Sequence, residues 1–183
     1  GVPLSLFDLK DEHEFGVVEM GTSLPGEIKE ICDLVEPEYG LLTNISASHL
    51  QGLKNIEQIA EEKSALIKAV PNKGVLFLNA DDENLMRLKT KTNAKIITFG
   101  IKNKADYMAS NIKTDFSMLF EEEHMISHSC EGRNPEFNSN KSINLNLKYT
   151  LNSKDSVNLK CQGIHNVYNS LSAIAVSEYV LGK

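Results

Sequence analysis

Lys63 stands in the run LLTNISASHLQGLKNIEQIAEEKSALI (residues 41–67), among residues that repeat with helical spacing. Counting about 100° per residue from Ile56 puts Ile59, Ala60, Ile67 and Val70 on one face. Glu57, Gln58, Glu61, Glu62 and Lys68 fall off that face, and Lys63 falls near its centre. A buried ammonium is costly unless it is paired or chemically changed. Either Lys63 snorkels to water or meets a nearby acid, or its amine is recruited for chemistry.

Other residues offer themselves by type. Glu19 lies at the strand end in VVEMGTS, close to Gly21, where a carboxylate can hold a hard cation; Thr22 and Ser23 in the same stretch are also good helix caps. Asn44 lies at the strand end in LLTNIS, and His49 follows among small residues, either as a ligand or as a hydrogen-bonded loop histidine. Asn79, Asp81 and Asp82 close GVLFLNADD, where Asp81 and Asp82 suit a cap position. His165, Asn166 and Asn169 fall in the first turns of a final helix after Gly163. Asn166 suits an N-cap, but two asparagines also suit an adenine edge, since each amide offers a donor and an acceptor together. His124 and His128, four apart with Cys130 close by, have a spacing that binds zinc on a helix. Their setting is polar and aperiodic, which argues against a metal site there.

These groups need a scaffold, and the chain's texture predicts one. Short apolar runs alternate with helical stretches: a strand at 15–20, a helix at 25–35, a strand at 40–45, a helix at about 56–70, a strand at 74–82 with a short helix after it, and a strand at 94–100. That alternation argues for a mostly parallel α/β sheet flanked by helices. From about residue 105 to 160 the pattern switches to polar/apolar alternation, which reads as a smaller antiparallel β part. Residues 121–142 within it have no periodicity and read as a polar loop or insertion. The chain ends in a helix whose Val167, Leu171, Ile174 and Ala175 share a face. Residues 1–104 and 161–183 then form the α/β core. In a parallel sheet, ligands bind at the carboxyl ends of the strands, which is where Glu19, Asn44 and the NADD stretch are expected.

The 183 residues suit one domain with a real core, at 41% hydrophobic and 24% charged. A net charge of −6 argues against a general nucleic-acid surface. No apolar run has the length of a membrane span and no signal peptide is evident. Cys32, Cys130 and Cys161 are odd in number and scattered, as expected of free thiols in a reducing cytoplasm. A start at Gly1 and an end directly after a helix suggest a segment of something longer.

VVEMGTSLPGEI, LLTNISASHLQGLKNIEQIAEEKSALI, LFLNADD and GIHNVYNSLSAIAV, in this order, resemble the central ATP-binding domain of the Mur ligases. EMGTSLPGEI and ISASHLQG favour the member that adds D-Ala-D-Ala to a UDP-N-acetylmuramoyl-tripeptide in cytoplasmic peptidoglycan precursor synthesis. The resemblance implies ATP and Mg2+ as cofactors and an acyl phosphate intermediate. It implies Glu19 on the magnesium that bridges the ATP phosphates, and His49 on a second magnesium near the substrate carboxylate. Lys63 would match a lysine carbamylated by CO2, His165 and Asn166, with Asn169, would lie at the adenine, and Asn44 would sit at the same cleft. Asp81 and Asp82 receive no catalytic role. Carbamylation would answer the question posed by Lys63: it replaces a cation with an anion able to orient a metal.

The chain also departs from that pattern. No G-x-x-x-x-G-K-[ST] phosphate loop occurs in it, and the family's N-terminal and C-terminal domains are not represented. The 183 residues alone are therefore expected neither to bind ATP tightly nor to ligate. Two other readings stay open: a degenerate, non-catalytic fragment, and another ligase of the superfamily, such as a folylpolyglutamate synthase or a different Mur ligase.

Overall fold

A computed structural model of the chain describes residues 2–46, 55–118, 143–161 and 163–182. It contains one six-stranded sheet in the order β1 to β6: β1 (Tyr39–Leu42), β2 (Val75–Asn79), β3 (Lys95–Gly100), β4 (Tyr107–Met118), β5 (Ile143–Leu151) and β6 (Asp155–Leu159). β1 to β4 pair in parallel, and β4 to β6 pair antiparallel. This is the mostly parallel α/β sheet with an antiparallel extension that the sequence predicts. The helices are α1 (Val2–Phe7), α2 (Glu27–Val35), α3 (Ile56–Ala69), α4 (Glu83–Leu88) and α5 (Ile164–Leu181).

β2 explains its own apolar run. All five of its residues are buried, because a central parallel strand is covered on both faces and cannot alternate with polar residues. Leu76 and Leu78 point into one core with Ile28, Ile59, Leu66, Ile67 and Leu85 from α2, α3 and α4. Val75 and Phe77 point into the other, with Phe99, Tyr149, Val167, Leu171 and Ala175. Helices therefore cover both faces, with α5 opposite α3. The turn before β2 needs Gly74, where a Cβ would lie 2.2 Å from the Glu38 carbonyl oxygen.

β3 and β4 are parallel neighbours joined by only six residues, paired only at Phe99–Tyr107 and Gly100–Met108. Asp106 closes that link by accepting from the Thr98 backbone N–H (2.8 Å) and hydroxyl (2.7 Å).

The strand expected at 15–20 does not form. That segment pairs with no strand; Phe15 is 52% and Val17 99% exposed. An apolar run becomes a strand only when a neighbour satisfies its backbone N–H and C=O groups, and among the described residues β1 is joined by β2 alone. The α1 helix, with no buried residue, carries no signal of its own in the sequence. The loop expected at 121–142 lies outside the described residues.

Candidate functional site

α3 begins at Asn55, whose side chain accepts from the Gln58 N–H at 2.9 Å. Its buried face carries Ile59, Leu66 and Ile67, with Val70 just beyond its end, whereas Ile56 is exposed. Lys63 is half-buried, and its Nζ donates to the Asn44 carbonyl oxygen at 2.5 Å. The amine therefore reaches the loop after β1 instead of open water. Burial holds Lys63 below the usual lysine range, and Asp82 opposes that shift. Lowering of this kind raises the share of neutral, nucleophilic amine.

Glu62 corrects the helical count. It is only 8% exposed, although it falls off the apolar stripe. Its carboxylate accepts from the Gly26 N–H (2.7 Å) and the Ile28 N–H (2.8 Å). These are backbone donors at the start of α2, where the N-cap is Gly26 at φ 96° with no side-chain cap of its own. Thr22 and Ser23 are thus not the caps. Instead the Glu27 carboxylate folds back on the preceding turn, accepting from the Ser23 N–H (2.5 Å) and Leu24 N–H (2.9 Å). Those bonds, Ser23 first, hold Glu27 below the usual carboxylate range. The consecutive residues Glu62 and Lys63 thereby tie α3 to two segments, the turn that follows Glu19 and the loop that follows β1.

The carboxyl end of β2 ties the next two strand ends together. Asn79 donates through Nδ2 to the Thr43 carbonyl (2.9 Å) and accepts at Oδ1 from the Asp81 N–H (2.9 Å). Asp82 caps α4 by accepting from the Leu85 N–H (3.0 Å) and accepts from the Ile45 N–H (2.6 Å). Asp81 is not a cap. It accepts from the N–H groups of Ile101 (2.6 Å), Lys102 (2.9 Å) and Asn103 (2.6 Å), and from the Tyr168 hydroxyl (2.8 Å). Burial pulls its carboxyl upward, but those donors outweigh it and hold Asp81 below its ordinary value.

α5 starts at this same end of the sheet. Its N-cap is Gly163, at φ 86°, so Asn166 is not the cap but sits in the first turn. A Cβ on Gly163 would lie 2.5 Å from the His165 ring. His165 and Asn169 are exposed, and Asn166 is half-buried. The structure thus gathers Asn44, Lys63, Asp81, Asp82 and the start of α5 around the carboxyl ends of β1 to β3. Glu19 is exposed, on an irregular segment, without a hydrogen bond or ion pair to another described residue, so no contact brings it to Lys63. His49, and the His124, His128 and Cys130 group, lie outside the described residues. Cys32 (buried) and Cys161 are free thiols.

Among the described residues, no three His, Cys, Asp or Glu side chains cluster as a metal cage. Magnesium typically takes only one or two protein carboxylates beside waters and phosphates, and the exposed Glu19 carboxylate is a donor of that kind. No helix among the described residues is long and apolar enough to cross a membrane.

Burial, then the neighbouring Asp81 carboxylate, pushes Tyr168 up to about 12. Its neutral form is favoured by folding, so its contribution to stability is full below pH 10 and is lost as pH rises toward 12. Denaturant unfolding at pH 9.5 to 12 should show stability falling across this window, and Tyr168→Phe should make that fall smaller.

Polar and titratable groups converging on the carboxyl ends of a mostly parallel sheet define an α/β protein of the ligand-binding kind. Residues 1–177 match the Mur ligase middle domain, and the chain belongs to that family. It is 35% identical over 126 residues to the UDP-N-acetylmuramoyl-tripeptide–D-alanyl-D-alanine ligase of Buchnera aphidicola from Acyrthosiphon pisum, covering 64% of this chain and 28% of that protein. It is 28% identical over 179 residues to the Escherichia coli K12 enzyme of the same name, covering 97% and 34%. The MurF ligase of Thermotoga maritima, solved in complex with ADP, superposes at a TM-score of 0.71 and 21% identity, over 100% of this chain and 36% of that one. The chain spans about a third of the length of these relatives.

Proposed function

We propose that these residues form the ATP-binding part of an ATP-dependent amide ligase that joins D-Ala-D-Ala to a UDP-N-acetylmuramoyl-tripeptide in cytoplasmic peptidoglycan precursor synthesis. The observation that carries the reading is Lys63, half-buried, bonded to the Asn44 carbonyl and neighboured by Asp82, at the sheet end where ligands bind. The names of the relatives supply the substrates, and the ADP complex of the Thermotoga maritima protein supports ATP.

In this reading the acceptor carboxylate attacks the γ-phosphorus of ATP. The γ-phosphorus–oxygen bond to ADP breaks, leaving an acyl phosphate. The D-Ala-D-Ala amine then attacks the acyl carbon, phosphate leaves with the carbon–oxygen electron pair, and a proton is lost from nitrogen. Lys63, as its carbamate, serves as an anion at the cleft. Asn44 holds that side chain through its carbonyl, and His165, Asn166 and Asn169 face the adenine. Glu19 and His49 would hold Mg2+, which when bound shields the negative charge of the triphosphate. The partners are the UDP-sugar peptide, D-Ala-D-Ala and flanking N- and C-terminal domains, with no nucleic acid or membrane.

The full-length gene product, supplied with ATP, Mg2+ and the tripeptide acceptor, should release phosphate only when D-Ala-D-Ala is present. Phosphate release with UDP-N-acetylmuramate and L-Ala, but not with the tripeptide and D-Ala-D-Ala, would assign a different ligase of the family. No release with any amine would leave a non-catalytic module.

A further inference from the structure

Asp81 and Tyr168 take no part in the chemistry above, yet they join the two sides of the site. We infer that they are positioning residues for the nucleotide: the Asp81–Tyr168 hydrogen bond sets the first turns of α5 against the strand ends, so that the amides of Asn166 and Asn169 meet the purine base. The inference rests on the ligase reading.

The Asp81 carboxylate is held rigidly. Oδ2 accepts from Ile101 and Lys102 and Oδ1 from Asn103, all backbone donors of the turn after β3. A Cβ built on Gly100 would lie 3.3 Å from both oxygens, so the carboxylate occupies the space that a side chain at position 100 would need. Into it comes the Tyr168 hydroxyl at 2.8 Å, from 87 residues away in sequence.

α5 needs such an anchor. Its N-terminus has no side-chain cap. Val167, Leu171 and Ala175 decide which face turns inward, but apolar contact is non-directional and fixes the position along the helix axis weakly. A hydrogen bond to a charged, immobile acceptor is directional. Tyr168 lies between the two asparagines, so whatever holds it holds them. Asparagine amides read an adenine edge through paired bonds that depend strongly on placement.

Steady-state kinetics of the full-length gene product provide the test, with Tyr168→Phe as the variant because it removes one hydroxyl. The KM for ATP should rise roughly tenfold, the scale of one hydrogen bond to a charged group. The preference for ATP over GTP should shrink by a similar factor, while kcat and the KM for D-Ala-D-Ala stay within about twofold, as for uniform binding lost at one substrate. Asp81→Asn should act in the same direction; if it fails to fold, the phenylalanine variant still decides. A variant with a lower melting temperature but wild-type KM and nucleotide preference would show a purely structural clamp and overturn the inference. A fall in kcat alone would also overturn it. Wild-type protein without nucleotide turnover would instead remove the ligase reading, and the inference with it.

Discussion

Lys63→Arg in the full-length gene product is expected to lose on the order of 10²- to 10³-fold in kcat, the scale for removing one preorganised group aimed at developing charge. Arginine keeps the positive charge and a donor for the Asn44 carbonyl, so a lysine acting only as an ion-pairing or snorkelling side chain would tolerate the change. It stays protonated and cannot present a neutral amine to CO2. The two roles are thus separated by one substitution. The half-buried setting that lowers the lysine raises the share of neutral amine, the form that the proposed reaction with CO2 needs. Two companion measurements sharpen the result. Depleting bicarbonate should slow the wild type and leave the residual rate of the variant unchanged. Adding a small carboxylate to Lys63→Ala should restore part of the rate, because acetate supplies the missing anion. Wild-type turnover by Lys63→Arg would end the carbamate assignment.

Glu62→Leu is expected to destabilise the fold by about 3 kcal/mol. Replacing a buried charge with an apolar group is often harmless when both partners go together. Besides the Thr22 hydroxyl at 3.4 Å, the partners here are the backbone N–H groups of Gly26 and Ile28, which no side-chain substitution removes. Both N–H groups would stay buried or half-buried with their acceptor gone. Urea unfolding of the 183-residue chain should show the loss, with a melting temperature about 6–12 °C lower for a protein of this size. Glu62→Gln should lose less, since the amide oxygen still accepts one of the two bonds. An unchanged midpoint for Glu62→Leu would mean that the start of α2 finds other acceptors. The change should also loosen the turn that follows Glu19, because the same carboxylate pins residues 26–28.

Much of this protein was legible from local pattern. The continuous apolar run of β2 announces a strand covered on both faces, and the period of α3 and α5 marks their inner sides. Asp82 reads as a cap from its place before a helix, and as a cap it serves. Such signals work because burial and capping act between residues near in sequence or on one repeating face.

The failures share the opposite character. Residues 15–20 have a strand's composition, but pairing depends on a neighbour that composition does not name. Glu62 reads as solvent-facing until the start of α2 is folded over it. Asp81 reads as a cap, while its donors come from residues 101–103 and from Tyr168. The sequence by itself determined the α/β class, the two-faced core and the family. Tertiary structure alone decided where Lys63 points, which carboxylates are buried, and what anchors α5. Hydrophobic burial is read from composition and period because it is non-directional; a hydrogen bond needs its partner's position, which exists only once distant segments meet.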